Sequence, residues 1–427
     1  MGTTEDKSFS PPKIILFPNK KEVVVIFETV LLVTLFTVGL SMVLVSNVTT
    51  DTHQQFVFLA DSFLHGTTSF REIPGSFTDI ASFNGKLYWS AGPFPATLLM
   101  PFVFIFGTKM MQGYLQFLLV ILNIFLIYRM ALILGIQRKI NAWWISFASA
   151  FGSMYISTAL FSSSWRFAQI VATSLLLLAL YEYFGKKRFL LIGILIAAAF
   201  ATRAHLILGS VFFILAIMTS ALPWRERIKN LLSLVTPIVL MGLLLLCYNY
   251  ARFSNPFESG YNYGPWNSAS PISEQNGRYT TWQLGFEYGK GKLFSFRYLP
   301  SNLYYYFLHG PEATLLSPDS YIIVPPYFKK APTPSVGSEL NNILISAPLF
   351  LFVLLASTRM RLVRYSLITA MVIFIPILFF ISPAQRYFLD VMPFLLIPLV
   401  IALKNKMTPL IKTLIVVSLL INLLLIR

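Results

Sequence analysis

The sequence predicts an all-α polytopic membrane protein, a bundle of about eleven transmembrane helices with interfacial helices in its first outer loop. Three observations carry that prediction. Of 427 residues, 56% are hydrophobic and only 12% charged, against about 25% charged in a typical soluble domain. Apolar runs long enough to cross a bilayer recur along the whole chain. Basic residues sit in small clusters between those runs, as positive-inside anchors do.

The runs are 23–45, 112–134, 142–160, 167–184, 206–221, 231–250, 343–357, 362–381, 387–403 and 409–426, with a shorter one at 189–202. Run 93–106 is also apolar but short, and it holds Pro93, Pro95 and Pro101. Charge decides its fate. If it spans, Arg138/Lys139 and Lys186/Lys187/Arg188 fall opposite the later basic clusters. If it lies on the interface, every cluster reaches one face. That face then carries nineteen of the 33 Lys and Arg residues with four acids: Glu5, Asp6, Glu22 and Glu226. The positive-inside rule therefore makes 93–106 a juxtamembrane helix. It puts residues 1–22 in the cytoplasm and the C-terminus outside a cell membrane. One membrane domain, 1–427, then has a first outer loop at 46–111 and a large outer loop at 251–340, rich in Tyr, Gly, Pro and Asn.

Several classes drop out. The net charge of +16 is spread between spans and forms no patch, so nucleic acid is not an expected partner. There is no Gly-rich phosphate loop or dinucleotide fingerprint, and no Cys/His set with zinc spacing. Cys247 stands alone, which excludes an intrachain disulfide. The first apolar run is long and lacks a small-residue cleavage site, unlike a signal peptide.

The stretch 46–66 follows the first span directly. Phe56, Leu59, Ala60, Phe63 and Leu64 recur at helical spacing, so an amphipathic helix is expected, ended by Gly66. Asp51 has two readings. It can cap that helix with Gln54 as capping-box partner, or serve as a general base at the membrane surface. Asp61 belongs to a solvated face or is a second acid of the same cleft. Asp51 and His53 are too few donors to define a metal site; a divalent metal stays open as a cofactor. Further on, Asn84-Gly85 signals a turn and Pro93 a helix start. Arg166, Arg203, His205, Arg252 and Arg386 fall near outer ends of spans. Singly each is a snorkelling residue. Together they form a basic rim suited to phosphate. Glu28 and Asp390 lie within spans, where ionisable groups are functional candidates by default. Asn47-Val48-Thr49 matches a glycosylation acceptor, a match that chance explains.

Three segments then carry a resemblance: NGKLYWSAGPFPATLLMPF (84–102), YNYARFSNPFESGYNYG (248–264) and QRYFLDVMPFLL (385–396). With one span before an acidic first outer loop, their order resembles the GT-C integral-membrane glycosyltransferases. The likeness is to bacterial relatives of the protein mannosyltransferases and aminoarabinose transferases. The resemblance implies a glycosyltransferase that moves a hexose or pentose from a polyprenyl-phosphate donor to a hydroxyl acceptor. The acceptor would be a glycan, lipid or protein on the outer face, with inversion, among membrane lipids. It places the catalytic carboxylate at Asp51. Two departures stand out. Thr52 follows Asp51 where many relatives carry a second acid. Ala91-Gly92-Pro93 occupies the place of a Lys before the prolines, leaving Lys86 as the phosphate candidate there. Arg203 and Arg386 lead the expected phosphate contacts, then Arg166. Asp61, His53, Tyr88 and His205 are further substrate-binding candidates, and Tyr261, Tyr263 and Trp266 would cover the sugar. A flippase of lipid-linked sugars and an oligosaccharide polymerase or ligase remain the alternatives.

Overall fold

The computed structural model describes residues 20–49, 53–77, 79–264, 292–308, 342–381, 383–404 and 406–425. Asp51, Trp266 and most of the large outer loop lie outside the described residues. Among the described residues, five helices are long and apolar enough to cross a membrane. These are α1 (Lys20–Thr49), α4 (Gln112–Ile133), α7 (Ser164–Phe184), α10 (Trp224–Phe253) and α13 (Arg361–Leu378). At about 1.5 Å per residue, even the shortest approaches the thickness of the hydrocarbon layer. Their outer faces leave Phe27, Val30, Leu118, Leu243, Leu244 and Met371 bare. Apolar surface on that scale is stable against lipid and not against water. The chain is a helical membrane protein.

The remaining apolar runs form shorter or broken helices. These are α2 (Gln55–Leu64), α3 (Phe94–Phe106), α8 (Phe189–Thr202), α9 (Ser210–Met218), α14 (Met392–Leu403) and α15 (Pro409–Leu424). Run 142–160 splits into α5 (Lys139–Ala150) and α6 (Tyr155–Leu160) around Gly152 and Ser153. Run 343–357 becomes α12 (Ile343–Ser346) and a 3₁₀ stretch opening at Pro348, which has no N–H to continue the helix. A further short helix, α11, covers Leu299–Leu303. Breaks are tolerated at membrane depth only where other groups satisfy the freed backbone.

The bundle has two distinct ends. At one, Glu28 of α1 meets Lys412 of α15 at 2.7 Å, and Arg361 donates to the Thr219 carbonyl. Gly135 there lies so close to Lys404 that a Cβ would touch its ammonium nitrogen. Arg129, Arg138, Arg227 and Lys229 belong to helix ends on this side, so packing gathers the basic clusters as their spacing suggests. Glu182 also belongs here: Arg188 holds it with Nε and Nη2 at 2.9 and 2.8 Å. Glu28 and Glu182 therefore join the four acids assigned to the basic face. Glu28 is paired with Lys412, not merely hydrated.

At the opposite end, α3 begins and finishes. Gly92 is pressed on the Ala201 and Thr202 carbonyls, where a Cβ would collide. Gln112, just past α3, is bonded to Gln54 and His53. A helix with both ends at one face of the bundle does not traverse it. Phe104, Ile105 and Phe106 at its tip are exposed and apolar, as suits a helix lying in the interface.

Helix α2 starts at Gln55 with Gln54 as its N-cap residue. The capping-box reading of Asp51 is thereby overturned. The Gln54 side-chain oxygen accepts from the Gln112 N–H. Gly66, at φ 71°, ends the helical segment as expected. Asn47 is fully buried, so its sequon is closed to modification. The one sheet among the described residues is a hairpin, β1 (Ile80–Phe83) and β2 (Lys86–Trp89). Asn84 and Gly85, at φ 49° and 71°, make the two-residue turn with positive φ at both positions that matches strand twist.

Candidate active site

The site grows from three breaks in the helices. α8 ends at Thr202, and Arg203 enters a 3₁₀ turn, Ala204–Gly209, that carries His205. Before α14 another 3₁₀ turn, Gln385–Asp390, carries Arg386, Tyr387 and Asp390. α7 begins at Ser164, setting Trp165 and Arg166 in its first turn and Gln169 one turn deeper.

Asp390 is 1% exposed. Its Oδ2 accepts from Arg203 Nη2 at 3.1 Å and contacts His205 Nε2 at 2.9 Å. Its Oδ1 accepts from Gln169 Nε2. A buried carboxylate left without partners would be costly; here it is fully engaged and aims Arg203 and His205. Arg203 and Arg386 both lie over the Tyr387 ring, at 4.9 and 5.1 Å from its centre. The Nε of each guanidinium is buried without a hydrogen-bond partner among the described residues. Arg386 forms no ion pair among the described residues, though its charge acts on Asp79. Two cations gathered on one ring, with donors unspent, define a place for an anion.

Asp79 is the residue that sequence reasoning missed. It precedes β1, and its backbone is left-handed, at φ 60°. A non-glycine residue there costs about 1–3 kcal/mol, and such strain concentrates at functional positions. Trp165 Nε1 donates to Asp79 Oδ2 at 2.6 Å, and Ser90 Oγ donates to its backbone carbonyl at 2.7 Å. Burial pushes its carboxyl up to about 6, against the Trp165 hydrogen bond and the charges of Arg386 and His53, which pull it down. The His53 ring lies 5.2 Å from that of Trp165. Tyr261 completes the cluster: its hydroxyl is driven above the ordinary tyrosine range by burial first, then by Asp79 and Tyr387, with Arg203 opposing. Glu258 folds the loop that carries it, accepting from the Gly260 N–H at 2.6 Å and from Asn262 Nδ2.

Arg203, His205, Arg386, Tyr261 and His53 thus converge around Asp79 and Asp390. Other expected residues do not. Asp61 is taken up by Arg71 at 2.8 Å and His65 at 3.4 Å. Tyr88 is buried against Phe253, with ring centres 5.2 Å apart, and packs the hairpin onto α10. Lys86 stands exposed beside the hairpin turn. Arg166 lies over the Phe161 ring at 4.5 Å. Arg252, from the basic rim, is buried, and its Nη1 donates to the Trp89 carbonyl at 2.7 Å. Among the described residues no three His, Cys, Asp or Glu side chains gather as a metal site.

Fold and site together define a polytopic helical membrane protein with a cluster of buried arginines and carboxylates at one end. Two solved structures are similar to it, both of GT-C glycosyltransferases. One is ArnT from Cupriavidus metallidurans bound to undecaprenyl phosphate, with 15% identity and a TM-score of 0.45, covering 89% of this chain and 61% of that one. The other is the Archaeoglobus fulgidus oligosaccharyltransferase in the apo form, with 13% identity and a TM-score of 0.45, covering 86% and 50%. The chain therefore spans less than two thirds of the length of either protein. No family model and no curated protein matches it.

Proposed function

We propose that this protein is a glycosyltransferase that takes a sugar from a polyprenyl-phosphate donor and attaches it to a hydroxyl on the extracytoplasmic face. The observation that carries the reading is the pair Arg203 and Arg386, two guanidiniums on one tyrosine ring with buried N–H groups to spare. A lipid phosphate is the anion that a cleft at a membrane boundary meets. The sidedness follows from the opposite, basic end, which the positive-inside rule assigns to the cytoplasm.

In the reaction the acceptor oxygen bonds to the anomeric carbon as the bond from that carbon to the phosphate oxygen breaks. The phosphate leaves with the electron pair. Arg203 and Arg386 stabilise the charge it gains, and Asp390 holds Arg203 in place beforehand, so little reorganisation is needed. The acceptor proton goes to a first-loop carboxylate. Asp79, with a carboxyl near 6, is ionised at neutral pH yet basic enough to accept it. Asp51, two residues before His53, is a second candidate carboxylate of this loop and keeps the role that the family resemblance gives it. Attack opposite the phosphate inverts the anomeric centre. Tyr261 and Trp165 wall the sugar from water.

The test is transfer from a radiolabelled polyprenyl-phosphate sugar by the purified protein in lipid. Asp79→Asn and Asp51→Asn, each folded, separate the two carboxylates, and the one that carries the proton loses the rate. If Arg203→Ala and Arg386→Ala both keep wild-type transfer and donor affinity, the reading is wrong.

A further inference from the structure

Asn47, in the last turn of α1, and His53 with Gln54, just before α2, are held by one face of α4. Gln112 and Gln116 are four residues apart at the start of α4, so their side chains share a face one turn apart. Both are fully buried, in a helix whose other positions are mostly apolar.

Gln116 grips the end of α1. Its Nε2 donates to Asn47 Oδ1 at 3.0 Å and to the carbonyls of Ala159 and Phe161 at 3.0 and 2.9 Å. Asn47, in the last turn of α1, donates in turn to the Val43 and Ala159 carbonyls at 2.8 and 2.7 Å. Gln112 grips the entry to α2. Its Nε2 donates to the His53 carbonyl at 3.0 Å and to that of Ser162. Its backbone N–H donates to Gln54 Oε1 at 2.9 Å. Ser164, at the start of α7, adds two donors on the His53 carbonyl: Oγ at 2.9 Å and the backbone N–H at 3.1 Å.

Satisfying the carbonyls freed between α6 and α7 accounts for the bonds to Ala159, Phe161 and Ser162. It does not account for those to Asn47, His53 and Gln54, which belong to a different part of the chain. We propose that Gln112 and Gln116 are positioning residues: a bracket on α4 that holds the end of α1 at Asn47 and the entry to α2 at His53 and Gln54, and so sets the His53 ring against Trp165 and the Trp165–Asp79 pair. The catalytic consequence rests on the function proposed above; the bracket itself is a statement about structure.

The experiment uses the full chain in lipid nanodiscs and reads two things, amide hydrogen exchange over residues 53–58 and transfer kinetics. Gln112→Leu keeps the size of the side chain and removes its donors. It is expected to speed exchange at 53–58 while α7 and α8 exchange as in the wild type. It should lower kcat by ~10–100-fold, the cost of a misplaced group, and leave KM within about threefold. The groups facing Asp79 are Trp165, Arg386, His53 and Tyr261. Releasing His53 removes one that favours the ionised form, so the midpoint of the pH–rate profile moves upward. Ser164→Ala removes only one of the donors on His53 and should shift the same three readouts by less. It keeps the test open should Gln112→Leu fold poorly. Wild-type exchange, kcat and midpoint in either folded variant overturn the bracket. An inactive wild type in which Gln112→Leu still frees residues 53–58 supports the bracket and overturns the proposed function.

Discussion

Two buried carboxylates, one near each end of the bundle, are used differently. At the basic end Glu182 takes Nε and Nη2 of Arg188 and also the Arg188 backbone N–H. One acid meets one base, and the base reaches out into solvent. At the other end Asp390 meets Arg203, His205 and Gln169 together, and a further guanidinium, Arg386, stands close by with no carboxylate at ion-pair distance among the described residues. The first arrangement closes on itself and ties off a helix end. The second leaves positive charge and N–H donors over, and that surplus distinguishes a binding site from a fastening.

The comparison can be broken by substitution, and the largest effect belongs to Asp79. Asp79→Asn should lower kcat by ~10²–10⁴-fold if Asp79 is the base, measured as transfer with saturating donor. In the wild type, the rate should rise with pH through about 6, as Asp79 ionises. The stability effect has the opposite sense. Between the ordinary value of 3.8 and about 6, the folded state holds a proton that the unfolded state has released. Stability therefore falls as pH rises across that window, by up to about 3 kcal/mol. Asp79→Asn should then unfold at a higher temperature than the wild type at neutral pH while being less active. A variant that is both inactive and less stable would contradict that account.

Arg386→Ala should come next, with a loss of ~10²–10³-fold in transfer, the usual cost of removing one preorganised donor to developing charge. Because Arg386 is spent on no ion pair, its removal should leave thermal stability unchanged, whereas Asp390→Asn should weaken both activity and fold. At the basic end the pattern reverses. Lys412→Met strands the Glu28 carboxylate and should cost about 3 kcal/mol in thermal unfolding, largely restored by adding Glu28→Gln, with kcat near wild type. Arg188→Ala should be the smallest change. Arg188 is mostly in solvent, where such pairs contribute little, and its backbone N–H still holds Glu182 after truncation, so unfolding should shift only slightly downward and transfer not at all.

Much of the framework is legible from spacing. The long apolar runs become helices because their period and length leave no other way to satisfy the backbone in lipid. The placement of 93–106 outside the bundle follows from counting charge, and the contacts of Gly92 and Gln112 agree with it. Asn84-Gly85 announces its turn because only such residues hold positive φ cheaply. The arginines near span ends are visible as a set, since each interrupts an apolar run. Other features have no local signal. Asp61 and Asp79 look alike in sequence, two acids in a polar loop; only Arg71 beside one and Trp165 beside the other tell them apart. Asn47 fits a sequon until Ala159 and Gln116, far along the chain, are seen to bury it. Gln112 and Gln116 read as two polar interruptions of a span until the carbonyls they meet are known.

The sequence by itself determined that this chain lives in a membrane and where its long apolar runs and basic clusters lie along the chain. Those follow from solvation, summed locally over each run. Tertiary structure alone decided which charged groups meet. Arg203 finds Asp390, and Trp165 finds Asp79, across separations that no periodicity encodes. Whether a buried charge is a fastening or a site depends on the balance of partners around it, and that balance exists only once the helices are packed.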